Sequence, residues 1–337
     1  MGSNKHRMPV MADVAREAGV SHQTVSRVLN DHPNVRADTR ARVEAAISRL
    51  GYRRNLVARA LVTRRSRTLG VVSFDTTLYG PASTIYGIQQ AARAAGYFVS
   101  IVSLKTIDAE GVRDAIDYLT EQGVDGIVVV APQHSASRAL ESLPADTPVV
   151  AVEGTHRADI PVVCIDQVEG ARLVVRHLLE LGHETVWHVS GPSDWLEAEG
   201  RMEGWRSALE EAGRQVPEPL AGDWSPRAGY EAGKILAASE GVTAVFAAND
   251  QMALGVLRAL SEEGVPVPGR ISVVGFDDIP ESEFFSPPLT TVRQDFGAVG
   301  RHCIEVLLRR IDAGAGSDER LVVPPTLVVR SSTAPAR

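Results

Sequence analysis

From Leu69 onward the chain alternates short β-rich runs with amphipathic helical stretches, and this alternation limits the possible folds more than any other feature. Strands are predicted at 69–74, 97–103, 125–131 and 147–152, and in a second series at 185–190, 243–247 and 271–275. Helical patterns lie between the strands, among them 168–181, 200–212, 227–238 and 251–262. Strands that alternate with helices form parallel sheets with helices on both faces. Two successive series therefore predict an α/β core with two similar lobes.

Residues 11–30 predict two short helices that meet in a tight turn. The apolar face of the first helix is expected to carry Ala12, Val14, Ala15 and Ala18. Gly19 interrupts this pattern, because a residue without Cβ turns there at little cost. Ser21 is a good N-cap for the second helix, whose inward residues are Val25, Val28 and Leu29. A third predicted helix at 37–50 closes a small all-α domain with Val43, Ala46, Ile47 and Leu50.

The outward face of the second helix is polar and basic, with His22, Gln23, Ser26 and Arg27. A helix-turn-helix places the start of its second helix in the DNA major groove. There Gln can pair bidentately with adenine and Arg with guanine. The alternative is an ordinary pair of short helices in a globular domain.

The charge of the chain is divided unevenly along its length. Residues 1–67 hold 14 Lys and Arg against 5 Asp and Glu, whereas the remaining residues hold 21 against 37. A basic head on an acidic body is the asymmetry expected when one end of a protein meets phosphate. A solvated basic face that binds nothing explains this division poorly.

Several other classes of protein are disfavoured. No apolar run approaches the length needed to span a membrane, and the charged N-terminal residues lack the apolar core of a secretory signal. Cys164 and Cys303 lie in apolar surroundings and are expected to be buried, inert thiols. Nothing indicates a disulfide, a metal or another cofactor. We therefore expect a cytoplasmic protein.

Polar side chains follow the predicted strands. Glu153, Asn249 and Asp277 each come directly after an apolar run, Arg201 is expected to open a helix, and Trp224 lies in a loop. Ligands of parallel sheets bind beyond the carboxyl ends of the strands. Charged and amide groups hold sugar hydroxyls in paired hydrogen bonds, and an aromatic ring stacks on the apolar face of a sugar. The alternative is that these residues are loop caps and turn formers.

Two motifs are specific enough to indicate a family. The head carries Asp13-Val-Ala, Gly19-Val-Ser and Thr24-Val-Ser-Arg-Val, and ends at Asn30. The tail carries Ile271-Ser-Val-Val-Gly-Phe-Asp-Asp, followed by Pro288-Leu-Thr-Thr-Val-Arg-Gln-Asp-Phe. Over essentially its whole length the chain resembles the lactose repressor (LacI/GalR) family of bacterial transcription regulators.

The resemblance implies a domain organisation. A helix-turn-helix head would span 9–54, and a hinge helix with its linker would span 55–67. The core would resemble a periplasmic binding protein whose two lobes exchange strands, one lobe at 68–165 plus 294–322 and the other at 166–293 plus 323–335. No heptad repeat follows before Arg337, so we expect a homodimer.

The resemblance also assigns binding residues. Base edges of double-stranded operator DNA would be read by His22, Gln23 and Arg27. Phosphates would be contacted by Ser21, Thr24, Ser26 and Asn30, with Asn55 and Ala58 also at the DNA and Leu61 as a wedge in the minor groove. The effector cleft would be lined by Leu78, Pro81, Glu153, Ile165, Arg201, Trp224, Asn249, Asp277, Gln294 and Phe296.

Departures from the lactose-repressor pattern fall at both sites. His22 and Val10 change the DNA-binding head, so its operator cannot be assumed from the family. At or near the cleft the departures are Phe74, Val130, Glu153 and Glu197. These changes alter the volume and polarity of the pocket, which leaves the identity of the sugar open.

The leading hypothesis is a repressor of sugar-utilisation genes that a small sugar, with a β-galactoside as the expected case, releases from a palindromic operator. Within the family, a ligand that strengthens DNA binding is the alternative. Outside it, the alternative is the sugar-binding protein of a transport system, which has no use for residues 11–62. No phosphate loop, metal cluster or nucleophile elbow indicates an enzyme.

Overall fold

The computed structural model describes residues 9–53, 65–74, 77–104, 109–140, 148–154, 160–313 and 319–336. The chain divides into two compact units, residues 1–66 and 67–337. The predicted hinge contacts Asn55, Ala58 and Leu61 lie outside the described residues.

In its described residues the first unit contains three helices, α1 (Met11–Ala18), α2 (His22–Leu29) and α3 (Ala37–Leu50). Their buried core is formed by Val14, Ala15, Ala18, Val25, Val28, Val43, Ala46 and Tyr52. The expectation for Ala12 was wrong, because this residue is exposed. At 3.6 residues per turn Ala12 lies about 200° around the helix from Val14, away from the face that packs.

The turn between α1 and α2 is held at both ends. Gly19 adopts a left-handed conformation with φ of 63°, which ends α1 as predicted. Ser21 Oγ accepts a hydrogen bond from the Thr24 backbone N–H at 3.1 Å, which is the predicted N-cap of α2. From α3, the Arg42 guanidinium donates to the Ala18 carbonyl oxygen at 2.7 Å and to that of Gly19 at 3.1 Å. The relative orientation of α1 and α2 is therefore stabilised by the third helix.

The second unit begins with a six-stranded parallel sheet. Its strands are β1 (Thr68–Phe74), β2 (Phe98–Leu104), β3 (Gly126–Val130), β4 (Val149–Val152), β5 (Val162–Ile165) and β11 (Arg320–Val323). Their order across the sheet is β11-β5-β4-β3-β1-β2. Its helices are α4 (Tyr79–Ala94), α5 (Ala109–Glu121), α6 (His134–Leu140) and α11 (Phe296–Ala313). Separate apolar clusters cover the two faces, so the central strands β3 and β4 are buried along their whole length.

The strands of a second parallel sheet are β6 (Trp187–Ser190), β7 (Leu220–Ala221), β8 (Ala244–Ala247) and β9 (Ser272–Val274). Their order across the sheet is β7-β6-β8-β9. Its helices are α7 (Gln167–Glu180), α8 (Leu196–Glu211), α9 (Pro226–Ala238) and α10 (Asp250–Glu262), followed by a 3₁₀ helix at Pro280–Phe284. A short antiparallel pair, β10 (Thr291–Arg293) and β12 (Thr326–Val328), lies beside β9 through a bridge between Val274 and Thr290.

The two predicted series of strands are confirmed, and five strands were not predicted, namely β5, β7, β10, β11 and β12. After α11 the chain returns to the first sheet, where β11 pairs in parallel with β5, and β12 then joins β10. The structure thus contains strand exchange between the two sheets. The residue boundaries given above for the lobes stay predictions.

Cys164 and Cys303 are buried and free, as predicted. Within the described ranges, no group of three or more His, Cys, Asp or Glu side chains could hold a metal ion. None of the helices in those ranges has the length and apolar character that crossing a bilayer requires.

Candidate functional site

The outward face of α2 presents most of the residues predicted to read DNA. Exposed side chains on this face and its flanks are Ser21, His22, Gln23, Arg27 and Asn30, while Thr24 and Ser26 are half-buried. Because Val25 and Val28 are buried in the three-helix core, α2 cannot rotate to hide this polar face. The helix therefore offers amide, imidazole and guanidinium groups to a large surface such as a DNA groove.

In the second unit, a cavity of about 280 Å³ lies where loops after β1 meet loops that follow the strands of the second sheet. Seven of the predicted effector residues line it, namely Leu78, Pro81, Arg201, Trp224, Asn249, Asp277 and Gln294. Parallel strands bring their carboxyl ends to one edge, which is why residues far apart in sequence meet here.

Arg201 organises the polar side of the cavity. Its Nε donates to Gln167 Oε1 at 2.9 Å, its Nη1 to the Ala248 carbonyl oxygen, and its Nη2 lies 3.5 Å from Asp277 Oδ1. Its guanidinium also lies over the Phe276 ring, 3.9 Å from the centroid. Arg201 was expected to open its helix, but α8 begins five residues earlier, at Leu196. The second turn of α8 therefore holds Arg201 in a buried and fixed position.

Asp277 is the buried carboxylate of this network. Gln294 Nε2 donates to its Oδ1 at 2.7 Å, and Gln167 Nε2 donates to Gln294 Oε1 at 3.0 Å. Burial raises the pKa of Asp277 to about 7, while the positive charge of Arg201 acts in the opposite direction. Its φ of 112° is unusual for a residue with Cβ, and strain of this kind is concentrated at functional sites.

Asn249 is positioned by its own helix. Its Oδ1 accepts from the Met252 backbone N–H at 2.8 Å as the N-cap of α10, and its Nδ2 donates to the Trp224 carbonyl oxygen at 3.1 Å. The amide therefore combines the role of a loop cap with a position in the cavity wall.

The apolar wall is formed by two tryptophans. Trp195 and Trp224 pack edge to face, with ring centroids 5.7 Å apart and planes at 75°. Trp195 was not predicted as a site residue, although it lies in the loop after β6, where ligands of parallel sheets bind. Tyr79, Asp223 and Gln251 line the same cavity and were not predicted either. Tyr79 and Asp223 adjoin the predicted Leu78 and Trp224, and that adjacency was the available signal.

Three predicted effector residues do not line this cavity. Glu153 and Ile165 line a neighbouring cavity of about 380 Å³, and the Ile165 backbone N–H donates to Glu153 Oε1 at 3.2 Å. Burial, together with the charge of Glu197, raises the pKa of Glu153 to about 8. Phe296 packs edge to face with Tyr79 at 5.9 Å and lines a separate surface groove. The roles of these three residues in effector binding stay predictions.

Backbone hydrogen bonds beside the cavity join the lobe that contains the first sheet to the lobe that contains the second sheet. Gln133, after β3, forms an antiparallel bridge with Trp195, after β6. The Leu196 N–H donates to the Pro132 carbonyl oxygen at 2.9 Å, and the His134 N–H donates to that of Asp194 at 3.2 Å. A movement that separates the lobes at this point therefore breaks backbone hydrogen bonds next to the cavity.

Two family models match the chain. The model for bacterial regulatory proteins of the lacI family matches residues 10–55, and the model for a periplasmic binding protein-like domain matches residues 175–333.

Two curated repressors match the chain over most of its length. The chain is 35% identical to the lactose operon repressor of Escherichia coli (strain K12), over 95% of this chain and 89% of the relative. It is 34% identical to the HTH-type transcriptional repressor PurR of Haemophilus influenzae (strain ATCC 51907 / DSM 11121 / KW20 / Rd), over 96% of this chain and 98% of that protein. Among solved structures, the lac repressor dimer bound to operator and the anti-inducer ONPF superimposes with a TM-score of 0.84. That match has 34% identity and covers 97% of this chain and all of the other.

Proposed function

The chain belongs to the lacI family of bacterial regulatory proteins, and we propose that it is a homodimeric repressor that a small sugar releases from a palindromic operator. Membership makes it a DNA-binding transcriptional repressor and not an enzyme. A transport role is excluded for the same reason. The sugar, the homodimer, the operator and a cytoplasmic location belong to the proposal.

The observation that carries the sugar proposal is the convergence of Arg201, Asn249, Asp277 and Trp224 on one cavity. Guanidinium, amide and carboxylate groups match the adjacent hydroxyls of a pyranose, and the indole matches its apolar face. Family likeness alone does not choose the ligand, because relatives named PurR match nearly as well as the lactose operon repressor. The chemistry of the cavity supports a sugar, and a β-galactoside is the first compound to test.

The DNA-reading proposal assigns base contacts to His22, Gln23 and Arg27, which are exposed on α2. Phosphate contacts are assigned to Ser21, Thr24, Ser26 and Asn30, whose side chains are short and polar. Asn55, Ala58 and Leu61 are proposed to contact DNA near the centre of the operator. Basic side chains that neutralise phosphates release counterions, so binding should weaken steeply with salt.

Homodimer formation is supported by exposed apolar side chains on the second lobe. Leu254 on α10 is 42% exposed, and Phe284 in the 3₁₀ helix is 79% exposed. A hydrogen bond of 2.6 Å from Ser282 Oγ to Asp250 Oδ2 joins the 3₁₀ helix to α10. Replacing Phe284 by Glu should raise the dimer dissociation constant in sedimentation equilibrium. Tyr118→Glu, which changes an exposed aromatic residue on the first lobe, should not.

Gating would couple the two sites. Closure of the cleft on a sugar would shift one lobe against the other and lower the affinity of the head for DNA. Thermodynamic linkage then requires that DNA lower the affinity for sugar by the same factor, roughly 5–150-fold in systems of this kind.

Operator titration tests the proposal. A preferred palindrome is first selected from random DNA, and its dissociation constant is then measured with and without each of a panel of mono- and disaccharides. We expect at least one sugar to raise the dissociation constant. A sugar that lowers it would establish co-repression, and no change with any sugar would refute sugar gating.

A further inference from the structure

The charged groups that line the cavity are unbalanced. Its described lining carries the carboxylates of Glu197, Asp223 and Asp277, and the only cationic side chain there is Arg201. Arg201 is already committed to three protein acceptors, including Asp277. Asp223 is exposed and accepts a hydrogen bond from the Ser225 backbone N–H at 2.9 Å, so Glu197 is the lining carboxylate without a partner in the described residues.

Glu197 is the carboxylate with the least support from the protein. It lies in the first turn of α8 and is half-buried, and within the described residues it has no hydrogen bond or ion pair. Burial raises the pKa of Glu197, and the nearby Arg201 charge acts in the opposite direction. A carboxylate that is partly removed from water without a partner is costly, and a ligand that brings a cationic donor lowers that cost.

Two further polar atoms of lining residues lack partners in the described structure, namely Gln251 Oε1 and Trp224 Nε1. Both atoms are buried from water and therefore also from a ligand that enters from solvent. Glu197 is thus the unpaired group of the lining that can bind a cationic ligand, and an ammonium group would supply it with up to three donors.

The aromatic wall suits such a ligand. Trp195 and Trp224 both line the cavity and pack edge to face, with their planes at 75°. The Arg201 guanidinium already lies 5.4 Å from the Trp224 ring centroid, so we assign this wall to the apolar face of the sugar ring and not to the amine. At about 280 Å³ the cavity is near the lower limit of ligand pockets, which favours a single ring.

We infer that the effector is an amino sugar whose protonated amine is bound by Glu197, with the sugar ring packed against Trp195 and Trp224. This inference rests on the proposed sugar-gated function and narrows its ligand class. Glu197 would then be the residue that determines specificity for a cationic sugar.

Matched monosaccharides test it on the full-length protein. The probes are D-glucosamine, D-glucose and N-acetyl-D-glucosamine, with the same three forms of galactose. Binding is measured at pH 7 by tryptophan fluorescence and calorimetry. We expect an amine to bind at least 10-fold more tightly than both its hydroxyl parent and its acetylated form. A neutral sugar that binds as well as the amine would overturn the inference and leave the proposed function standing. If no sugar binds or changes operator affinity, the proposed function fails, and this inference fails with it.

Variants separate charge from shape. Glu197→Gln keeps the size of the side chain and should abolish the 10-fold preference for the amine, while changing the affinity for neutral sugars less than 3-fold. Glu210→Gln removes an exposed carboxylate from the same helix and should keep the preference. Operator binding without sugar verifies that both variants are folded. Retention of the amine preference by Glu197→Gln would refute the assignment.

Discussion

His134 Nε2 lies 3.1 Å from Glu199 Oε2, so this pair joins α6 beside the first sheet to α8 beside the second. Both side chains are substantially exposed, and ion pairs in such positions contribute little, typically 0–1 kcal/mol. The neighbouring hydrogen bond from the Leu196 N–H to the Pro132 carbonyl oxygen is independent of side-chain charge. We therefore expect the backbone contact, rather than the ion pair, to control the separation of the lobes.

Leu196→Pro tests the backbone contact. Leu196 is the first residue of α8, where proline is tolerated, and Trp195 before it is extended with ψ of 125°, as a residue before proline must be. The variant loses one interlobe hydrogen bond, worth about 0.5–1.5 kcal/mol, so sugar affinity should fall roughly 2–13-fold. Calorimetry measures the loss. Leu196→Ala keeps the N–H and serves as the control. Equal affinities in the two variants would show that this bond does not stabilise the closed cleft.

Arg201→Ala should abolish the response to sugar and leave operator binding intact. The change removes the guanidinium that donates to Gln167 and Asp277, so these two side chains are no longer held in place on the polar side of the cavity. Operator titrations with and without sugar measure the effect. Arg206→Ala, which alters an exposed arginine on the same helix, should respond like the unmodified protein. Induction that survives in Arg201→Ala would remove this residue from the effector site.

Gln23→Ala should relax base discrimination at one operator position. Gln23 is exposed on α2, and a bidentate contact to adenine is worth about 1–3 kcal/mol of discrimination. Ser26→Ala, in contrast, should weaken binding to all sequences by a similar factor, because a phosphate contact carries no base information. Binding to a set of single-base operator variants distinguishes the two patterns. A uniform loss in Gln23→Ala would assign this residue to the phosphate backbone.

His188 should make the core unit less stable in acid. It is buried, its Nδ1 contacts the Phe246 carbonyl oxygen at 2.9 Å, and burial lowers its pKa from 6.5 to about 4. Between these two pH values the unfolded chain binds one more proton at this residue than the folded chain. The contribution of His188 to the unfolding free energy is therefore present above pH 6.5 and is lost as the pH falls toward 4, by up to about 3 kcal/mol.

The measurement is urea unfolding between pH 4 and 7.5, followed by tryptophan fluorescence. All four tryptophans lie in the second unit, so the signal reports on the core alone. His188→Asn keeps a donor for the Phe246 carbonyl oxygen but does not titrate. The pH dependence of its stability should differ from that of the unmodified protein by the His188 contribution, and identical pH dependence would contradict the lowered pKa.

Much of the head could be predicted from local sequence, because its signals act over three or four residues. The φ of 63° at Gly19 and the hydrogen bond from the Thr24 N–H to Ser21 follow from chemistry within the turn itself. Ala12 was the exception, since a methyl group tolerates exposure as well as burial. The continuous apolar runs of β3 and β4 were also sufficient to predict buried parallel strands.

Sequence by itself thus determined the helix-turn-helix, the two series of strands, and the positions of Asn249 and Asp277 after strands. Only the tertiary structure decided that β11 returns to the first sheet, because no local pattern tells an edge strand which distant partner to join. It also decided that Arg201 has three protein acceptors, whereas Glu197 has no hydrogen bond or ion pair within the described residues. That distinction depends on which groups approach each side chain across the fold. Burial makes an unpaired carboxylate costly, so the lack of a partner matters at Glu197.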